Sequence, residues 1–429
     1  MLRTISSRIS RRFYTTSRYE TYHGGAIKTY YNPTLTGLSP SENEFREAVW
    51  EFSARVVKPK VDEIERGGSY SALMELHKEI AGMGLHGLTV PAKNLGLELG
   101  YTHHLLAMEA LSYSSASLAL SYGAHSNLCV NQLSRWGSEA QKSEWLPGLL
   151  DGRYLGALAM SESGAGSDVL GCMKTVAKKV DGGYLLNGNK FWITNGPKAD
   201  VFIVYAKDVV EHGAKQTYTT FLVPRITPGF TTGKPLDKFG MRGSPTCELI
   251  FTDVFLPPSS ILGDSQHHGA KVLMSGLDLE RLVLSGGPLG IMQAAYDTAL
   301  EYVHQREQFG VRVGTIGSMQ AKIADMYTKL NTARAFVYSV ARAVDYHTQE
   351  AAPGYPVFQR RDCAAAILYA TDKAIEVALE CMQCLGGNGY INEYPAARYL
   401  ADARLYAVGA GTQEVRRWLI GREVNSDFE

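Results

Sequence analysis

The sequence predicts an α+β protein in three parts: an all-helical domain, a small β-barrel or sandwich, and a four-helix bundle. Its 429 residues exceed the length at which a single hydrophobic core usually stops growing. Apolar residues recur at helical spacing before residue 150 and again after residue 270. Between these regions, short β-type runs alternate with turn residues without an intervening helical pattern, which favours strands that pair with one another.

The first helical domain is expected over residues 39–153. Ser39 or Ser41 can cap its first helix, and apolar residues then follow at steps of three and four, at positions 45, 49, 52 and 56. Later in the domain, His125 lies among small and apolar residues. A core or capping histidine is favoured over a catalytic one, because no companion ligand or nucleophile stands near it in the sequence.

The β-domain is expected over residues 154–269. Asp181-Gly-Gly183 and Asn187-Gly188 tolerate the positive φ angles of tight hairpins, and both are predicted to be turns. Closely spaced strands of this kind indicate a small barrel or sandwich. The strands are expected at residues 154–161, 175–180, 184–187, 190–194, 201–207, 218–223 and 247–255.

The four-helix bundle is expected over residues 270–429. Apolar side chains step by three and four along residues 323–344 and 363–381, which is the seam of two long packed helices. Such wide seams often serve oligomerisation as well. Pro288 follows two glycines inside an earlier helical run, so we expect a kink there.

Composition excludes several classes of protein. The 43 basic and 43 acidic residues cancel, which gives no charge signal for nucleic acid, and no apolar run is long enough to span a membrane. Six cysteines in so long a chain argue against a disulfide framework. Cys381 and Cys384 have the spacing of a redox pair, but they end an apolar helical run, so core packing is favoured. No second pair suggests zinc, and no metal is expected.

The N-terminal segment predicts a location. Residues 1–19 contain five arginines with several Ser and Thr, and no acid precedes Glu20. This composition is typical of a mitochondrial transit peptide, and a disordered basic tail is the alternative. The C-terminal Ser-Asp-Phe-Glu429 is not a peroxisomal address, so we expect the mitochondrial matrix.

Glu280 is a carboxylate in an apolar helical run. Leucines at positions 277, 279 and 282 would surround it. A carboxylate is rarely buried without a partner or a chemical task, and desolvation raises its pKa and makes it a better proton acceptor. The alternatives are pairing with Arg281 or a place on a solvated helix face.

Three short stretches carry more specific signals. Residues 159–168 form a small-residue loop whose glycines allow backbone to approach a flat or phosphorylated ligand. Residues 190–196 place a tryptophan beside a threonine hydroxyl, which suits an aromatic cofactor, although a lone tryptophan is more often core. Residues 383–390 form a glycine-rich loop that can admit a pyrophosphate or serve only as a helix cap and turn.

The first and third stretches resemble the two signatures of the acyl-CoA dehydrogenase family. The Ser-Glu-x-x-Ala-Gly-Ser-Asp element lies at 161–168, and the Gln-x-x-Gly-Gly-x-Gly element begins at Gln383 and extends to Asp402. The resemblance runs from about residue 40 to the end of the sequence. It implies a helical, β, helical order of domains, one FAD per subunit of a homotetramer, an acyl-CoA substrate, and electron transfer flavoprotein as the electron acceptor.

The resemblance also implies roles for individual residues. Gly317 stands where the family often has a glutamine near the flavin nucleotide, and Gln320 is the expected replacement. The expected FAD contacts are Leu158, Met160, Ser161, Ser167, Trp192, Ile193, Thr194, Arg306, Gln320, Gln383, Gly386, Gly387, Thr412 and Glu414. The expected substrate contacts are Ser167, Lys271, Asp278, Arg281, Gly409, Ala410 and Gly411.

The position of the catalytic base departs from the common family pattern. The usual glutamate precedes a Gly-Thr pair near the C-terminus, where this sequence has Ala410 after Gly409. The branches that act on isovaleryl-CoA and on long-chain acyl-CoA supply the base from the bundle helix, at the position of Glu280. Residues 276–284 and the Gly409-Ala410 pair are most similar to the isovaleryl-CoA branch. The small pair would also make room for a branched acyl chain.

The resemblance therefore implies α,β-dehydrogenation of isovaleryl-CoA to 3-methylcrotonyl-CoA in leucine catabolism. Glu280 would remove the α-proton, while the Ala410 N–H and a flavin ribityl hydroxyl would hold the thioester oxygen. One alternative is a dehydrogenase for short, 2-methyl-branched or long acyl chains. Another is a FAD-bearing assembly protein without catalysis, which the alanine at position 410 would explain.

Overall fold

A computed structural model describes residues 29–32, 35–66, 70–211, 213–263, 265–348 and 360–428. The expected transit peptide, residues 1–19, lies outside these ranges. Up to Asp151 the described residues form helices and loops. The α-helices are α1 (Pro40–Phe52), α2 (Val61–Arg66), α3 (Ser71–Gly82), α4 (Tyr101–Ser114), α5 (Ala116–Gly123), α6 (Asn131–Trp136) and α7 (Glu139–Leu150), with π-helical turns at Ser53–Val57 and Ala124–Val130.

Helix α1 begins at a capping box. The backbone N–H of Glu42 donates to Ser39 Oγ at 3.3 Å, and the Ser39 N–H donates to Glu42 Oε2 at 2.7 Å. Pro40 is the first helical residue, where its missing N–H needs no partner. The two reciprocal bonds satisfy donors that a first helical turn leaves unpaired. The predicted cap at Ser39 is confirmed.

His125 is a buried structural residue that joins the first region to the sheet. Its Nδ1 accepts the N–H of Gly156 at 2.9 Å, so Nε2 must carry the proton that bonds the Leu149 carbonyl at 3.0 Å. Burial lowers the pKa of His125 to about 4, which keeps the ring neutral. These contacts agree with the favoured interpretation of a hydrogen-bonded core histidine.

The second region is a curled seven-stranded sheet. The strands are β1 (Gly156–Ala159), β2 (Val176–Val180), β3 (Gly183–Thr194), β4 (Val201–Asp208), β5 (Tyr218–Pro224), β6 (Phe230–Thr232) and β7 (Thr246–Leu256), with a short helix α8 (Val169–Cys172) before β2. Strand β4 pairs in parallel with β1 and with the start of β2, and it pairs in antiparallel with β5. The other neighbours, β2–β3, β3–β7 and β6–β7, are antiparallel.

One of the two predicted turns is wrong. The turn after Val180 is confirmed, because β2 pairs with β3 directly on either side of it and Gly182 has φ 77°. Asn187-Gly188 instead lies inside the continuous strand β3, at a register shift against β7. Gly188 has φ 137°, and a Cβ there would lie 2.6 Å from Thr175 Cα. The glycine thus serves a bulge rather than a hairpin. Strand β6 was not predicted.

The third region is helical, with a small hairpin. The predicted kink is a complete break at Ser285, and Pro288 lies in the first turn of the next helix, where proline is tolerated. The elements are α9 (Gly269–Leu284), α10 (Gly286–Gln305), β8 (Glu307–Gln308), β9 (Val311–Arg312), α11 (Gly317–Thr348), α12 (Arg360–Leu385), α13 (Ala396–Tyr406) and α14 (Gln413–Ser426). Helix α12 packs against α9, α10, α11, α13 and α14.

The two helical regions share one hydrophobic core. Residues of α1, α3 and α4 pack in the same buried cluster as residues of α10, α11 and α12, while the sheet has a core of its own. Cys381 and Cys384 lie in the shared core as free thiols, and burial raises the pKa of Cys384 to about 11. Among the described helices, none is both long and apolar enough to cross a bilayer.

Candidate active site

Glu280 lies on α9 with only 6% of its surface exposed. Burial raises its pKa from 4.5 to about 7, and the charges of Arg281 and Arg416 limit that rise. Within the described residues, its Oε2 atom is buried and has no hydrogen-bond partner. Burial excludes a place on a solvated helix face. A desolvated carboxyl with a pKa near neutrality and a free oxygen can act as a general base.

Arg281 is held by contacts other than Glu280. Its Nη1 bonds Asp278 Oδ1 at 2.8 Å, and its Nε donates to the Ala410 carbonyl at 3.4 Å. Arg360 bonds the second oxygen of Asp278 at 2.9 Å. Asp278 and Arg281, two expected substrate contacts, are therefore buried ion-pair partners that tie α9 to the loop after α13.

That loop places Gly409, Ala410 and Gly411 close to Arg281, the residue after Glu280. Ala410 has φ 55° and Gly411 φ 92°, so two consecutive residues are left-handed. An alanine in this region carries strain of roughly 1 kcal/mol or more, which the surrounding contacts must hold in place. Thr412 then caps α14 by accepting the Val415 N–H at 3.3 Å. The structure thus joins Glu280, Arg281 and the 409–411 turn in one cluster, in which Glu280, Arg281 and Ala410 are buried.

A second cluster forms where β1 ends beside β3. Ser161 Oγ donates to the Phe191 carbonyl at 2.8 Å, and the Phe191 N–H donates to the Ser161 carbonyl at 2.9 Å. Met160 is held through its carbonyl, which accepts Lys190 Nζ at 2.9 Å. These bonds bring Leu158, Met160 and Ser161 next to the strand that carries Trp192, Ile193 and Thr194.

Trp192 is the exposed face of this second cluster. It has φ 58° at a register shift of β3, and 51% of its surface is exposed. A Cβ on Gly166 would lie 3.6 Å from its ring, so the small-residue loop lies against the indole. Ile193 is buried in the sheet core. An exposed indole beside a glycine loop and hydroxyls fits one face of a flat, polar-edged ring such as a flavin.

Sequence reasoning missed the buried pair that supports this loop. Glu162 accepts the N–H groups of Lys174 and Thr175 at 2.7 and 2.9 Å, and its Oε1 lies 3.0 Å from Lys190 Nζ. Burial lowers the pKa of Lys190 to about 8. Glu162 stands inside the first motif and Lys190 begins the second, so their opposite charges were the available signal.

Helix α9, which carries Glu280, is linked to the sheet through α6. Gln132 Nε2 donates to the Val272 carbonyl at 3.0 Å and to the Tyr205 hydroxyl of β4 at 3.3 Å. A Cβ on Gly276 would lie 2.1 Å from that nitrogen, so the helices approach closely here. Burial raises the pKa of Tyr205, and the nearby Glu280 adds to the rise. Glu280 therefore lies near β4, in the sheet that also carries Leu158 and Trp192.

The remaining expected contacts lie on exposed parts of the chain. A Cβ on Gly386 or Gly387 would meet no atom within 4 Å, so this loop is open to a ligand or a second chain. In the part of the chain that the structure describes, no hydrogen bond or ion pair joins these positions to Glu280 or Trp192. Their roles stay predictions. They are Ser167, Lys271, Arg306, Gln320, Gln383, Gly386, Gly387 and Glu414.

Comparisons with known proteins agree with this arrangement. Family models of the N-terminal, middle and C-terminal domains of acyl-CoA dehydrogenases match residues 39–153, 157–254 and 267–425. The mitochondrial isovaleryl-CoA dehydrogenase of Pongo abelii is 52% identical over 92% of this chain and 91% of its own. The mitochondrial 2-methylacyl-CoA dehydrogenase of Solanum tuberosum is 48% identical over 90% of this chain and 91% of its own.

Solved structures have the same fold. Butyryl-CoA dehydrogenase from Megasphaera elsdenii superposes with a TM-score of 0.83 at 34% identity, over 90% of this chain and 99% of that one. The FAD complex of PigA superposes with a TM-score of 0.82 at 30% identity, over 91% and 98%. Together with the matched domains and the two clusters around Glu280 and Trp192, these likenesses establish that the chain belongs to the acyl-CoA dehydrogenase family.

Proposed function

We propose that this chain is an FAD-dependent dehydrogenase that converts isovaleryl-CoA to 3-methylcrotonyl-CoA in leucine catabolism. The observation that carries the proposal is Glu280, a buried carboxyl near the turn in which Ala410 replaces the usual glutamate; its Oε2 atom has no hydrogen-bond partner among the described residues. The isovaleryl-CoA dehydrogenase of Pongo abelii, 52% identical over 92% of this chain, supports the substrate. The small Gly409-Ala410 pair leaves space for a branched acyl chain.

FAD is the cofactor. The residues that would hold its ring system are Ser161, in the loop after β1, and Trp192 and Thr194 on β3, beside the exposed indole. Arg306 and the glycine loop at Gly386 would hold its nucleotide half. FAD, when bound, supplies the two-electron acceptor for the hydrogen that leaves the β-carbon.

The chain's own residues perform the proton transfer and hold the thioester. Glu280 removes the α-proton, because its pKa near 7 leaves a large ionised fraction at neutral pH together with a strong affinity for the proton. The Ala410 N–H donates a hydrogen bond to the thioester oxygen, where negative charge develops as the α-proton leaves. The buried pair of Asp278 and Arg281 fixes α9 against the 409–411 turn, so that base and N–H donor keep their relative positions.

The family supports the proposed assembly and location. The chain acts on an acyl-CoA, and electron transfer flavoprotein is the proposed acceptor of its electrons. A homotetramer is supported by large apolar side chains that one chain leaves exposed in the third region: Phe309 is 95% and Tyr390 85% exposed. Relatives named mitochondrial and the composition of residues 1–19 support the mitochondrial matrix.

A second candidate is a dehydrogenase for 2-methyl-branched acyl chains. The Solanum tuberosum relative with that name is 48% identical over 90% of this chain, which is nearly as similar as the relative above. A FAD-bearing protein without catalysis is disfavoured, because a buried carboxyl oxygen with no hydrogen-bond partner among the described residues, as at Glu280 Oε2, destabilises the fold unless it has a chemical task.

A substrate panel tests the proposal. Turnover of isovaleryl-, 2-methylbutyryl-, butyryl- and palmitoyl-CoA is measured with an artificial electron acceptor, and anaerobic bleaching of the flavin is followed in parallel. We expect the highest kcat/KM with isovaleryl-CoA. Preference for 2-methylbutyryl-CoA would replace the proposal with the second candidate, and no bleaching with any acyl-CoA would refute dehydrogenase activity.

A further inference from the structure

Arg416 lies beneath the turn that carries Ala410. This residue of α14 is 1% exposed, yet its guanidinium donates to three acceptors. Nη1 bonds the Tyr406 carbonyl at 2.8 Å and Gln413 Oε1 at 2.6 Å, and Nη2 bonds the Gly409 carbonyl at 2.5 Å. The planar fork of an arginine is suited to bridging two carbonyls in fixed directions, which a lysine ammonium cannot reproduce.

The bond to Gly409 determines where the Ala410 N–H points. The Gly409 carbonyl and the Ala410 N–H belong to the same planar peptide and point in opposite directions. Arg416 holds the carbonyl, so it also fixes the N–H on the other side of the turn. Arg281 acts in the same way on the next peptide through the Ala410 carbonyl. Two buried arginines thus orient consecutive peptides in a strained left-handed turn.

Arg416 also acts on the base through its charge. Arg281 and Arg416 are the two cations that favour the ionised form of Glu280. Burial, and then the proximity of Arg281, lower the pKa of Arg416 to about 10, so it remains charged at neutral pH. Tyr205 of β4 lies near Glu280. Among the other charged groups on these elements, Arg360 of α12 bonds Asp278 of α9, and Asp372 of α12 bonds Gln413 and Arg417 of α14.

We propose that Arg416 is a positioning residue for the dehydrogenation: it orients the Gly409–Ala410 peptide so that the N–H faces the thioester oxygen. The inference rests on the proposed function, since it assigns Arg416 to the same base and the same N–H donor. If Arg416 only held α14 in place, its substitution would lower stability but would change neither the hydrogen bond to the substrate carbonyl nor the pH dependence of activity.

The test compares Arg416→Lys, which keeps the charge, with Arg416→Gln, which removes it. Arg417→Lys is the matched control, because Arg417 is the next residue, is 55% exposed and bonds only Asp372 among the described residues. In Arg416→Gln we expect kcat to fall about 100-fold, as for loss of an oxyanion donor. We also expect the acid limb of the pH profile to move up by about one pH unit. In Arg416→Lys we expect the acid limb of the pH profile to keep its position and kcat to fall at least about tenfold.

A second readout does not depend on turnover. In a Glu280→Gln background, the carbonyl stretching frequency of bound acyl-CoA, labelled with carbon-13 at the thioester carbon, reports the hydrogen bond to its oxygen. We expect both Arg416 variants to move this frequency toward its value in solution. The inference would be overturned if Arg416→Lys left the carbonyl frequency unchanged, or if the kcat of Arg416→Lys equalled that of Arg417→Lys. Both outcomes can be measured even if Arg416→Gln fails to fold. Failure of the parent protein to oxidise isovaleryl-CoA would refute the proposed substrate instead, because the frequency is measured with whichever acyl-CoA the panel selects.

Discussion

Substitution of Glu280 by Gln tests the base through stability as well as activity. The folded state raises the pKa of Glu280 from 4.5 to about 7, so the folded protein binds this proton more tightly than the unfolded chain. Stability from this group is present below pH 4.5 and is lost as the pH rises through 7. At about 1.4 kcal/mol for each pH unit, the full loss is about 3 kcal/mol.

Glu280→Gln removes the ionisable group and keeps its shape. We therefore expect the variant to gain about 2 to 3 kcal/mol in free energy of unfolding, relative to the parent protein, between pH 5 and pH 8. Thermal unfolding at both pH values measures this, with the exposed Glu44→Gln as the control. The variant should keep FAD and lose kcat by about two to four orders of magnitude.

Activity of the parent protein should fall in the same pH range. Since the ionised carboxylate is the base, about a tenth of the maximal kcat/KM should remain at pH 6 and about nine-tenths should be present at pH 8. A stability difference between Glu280→Gln and the parent that does not change with pH would refute the raised pKa. Near-normal turnover in the variant would refute the assignment of the base.

Two further substitutions test the support of the site. Asn195 directly follows the Trp192–Thr194 stretch and has a left-handed backbone with φ 65°. Its side-chain amide donates a hydrogen bond to the Ser121 carbonyl at 2.9 Å, so Asn195→Ala should lower the free energy of unfolding by about 1 to 3 kcal/mol. The variant should also release FAD faster, which dialysis followed by flavin absorbance measures. Arg334 bonds Glu109 at 2.6 and 2.9 Å inside the shared core. Arg334→Met should cost about 3 to 5 kcal/mol in denaturant unfolding, whereas exposed Arg153→Gln should cost less than about 1 kcal/mol, and equal losses would contradict this explanation.

Periodicity predicted the order of domains because each region repeats one simple pattern. The helical steps around Val49 and Val337 reflect burial of one helix face, and both residues are fully buried. The cap at Ser39 was readable because its partners lie within three residues. The Asn187-Gly188 turn was wrong because that dipeptide also suits a bulge, and pairing with the distant strand β7 decides between them.

The candidate site was predictable only where side chains themselves carry the signal. Glu280 stood out because a carboxylate among leucines is unusual. Arg416 was missed because two of its three partners are backbone carbonyls, which every residue has and no sequence pattern marks. The ring of contacts among Asp278, Arg281 and Ala410 likewise depends on a loop that returns from more than a hundred residues later.

The core shared by the two helical regions has a consequence for biosynthesis. Helix α4 is buried on nearly every side, and much of the surface that covers it belongs to α10 and α11, with α1 and α5 covering part of the rest. During translation, the first region therefore leaves the ribosome long before its partners do, with apolar surface exposed. The core can close only after residues up to about the end of α12, at Leu385, have emerged. We expect the newly made chain to need a chaperone over this interval, and fragments that end within the β-domain to aggregate.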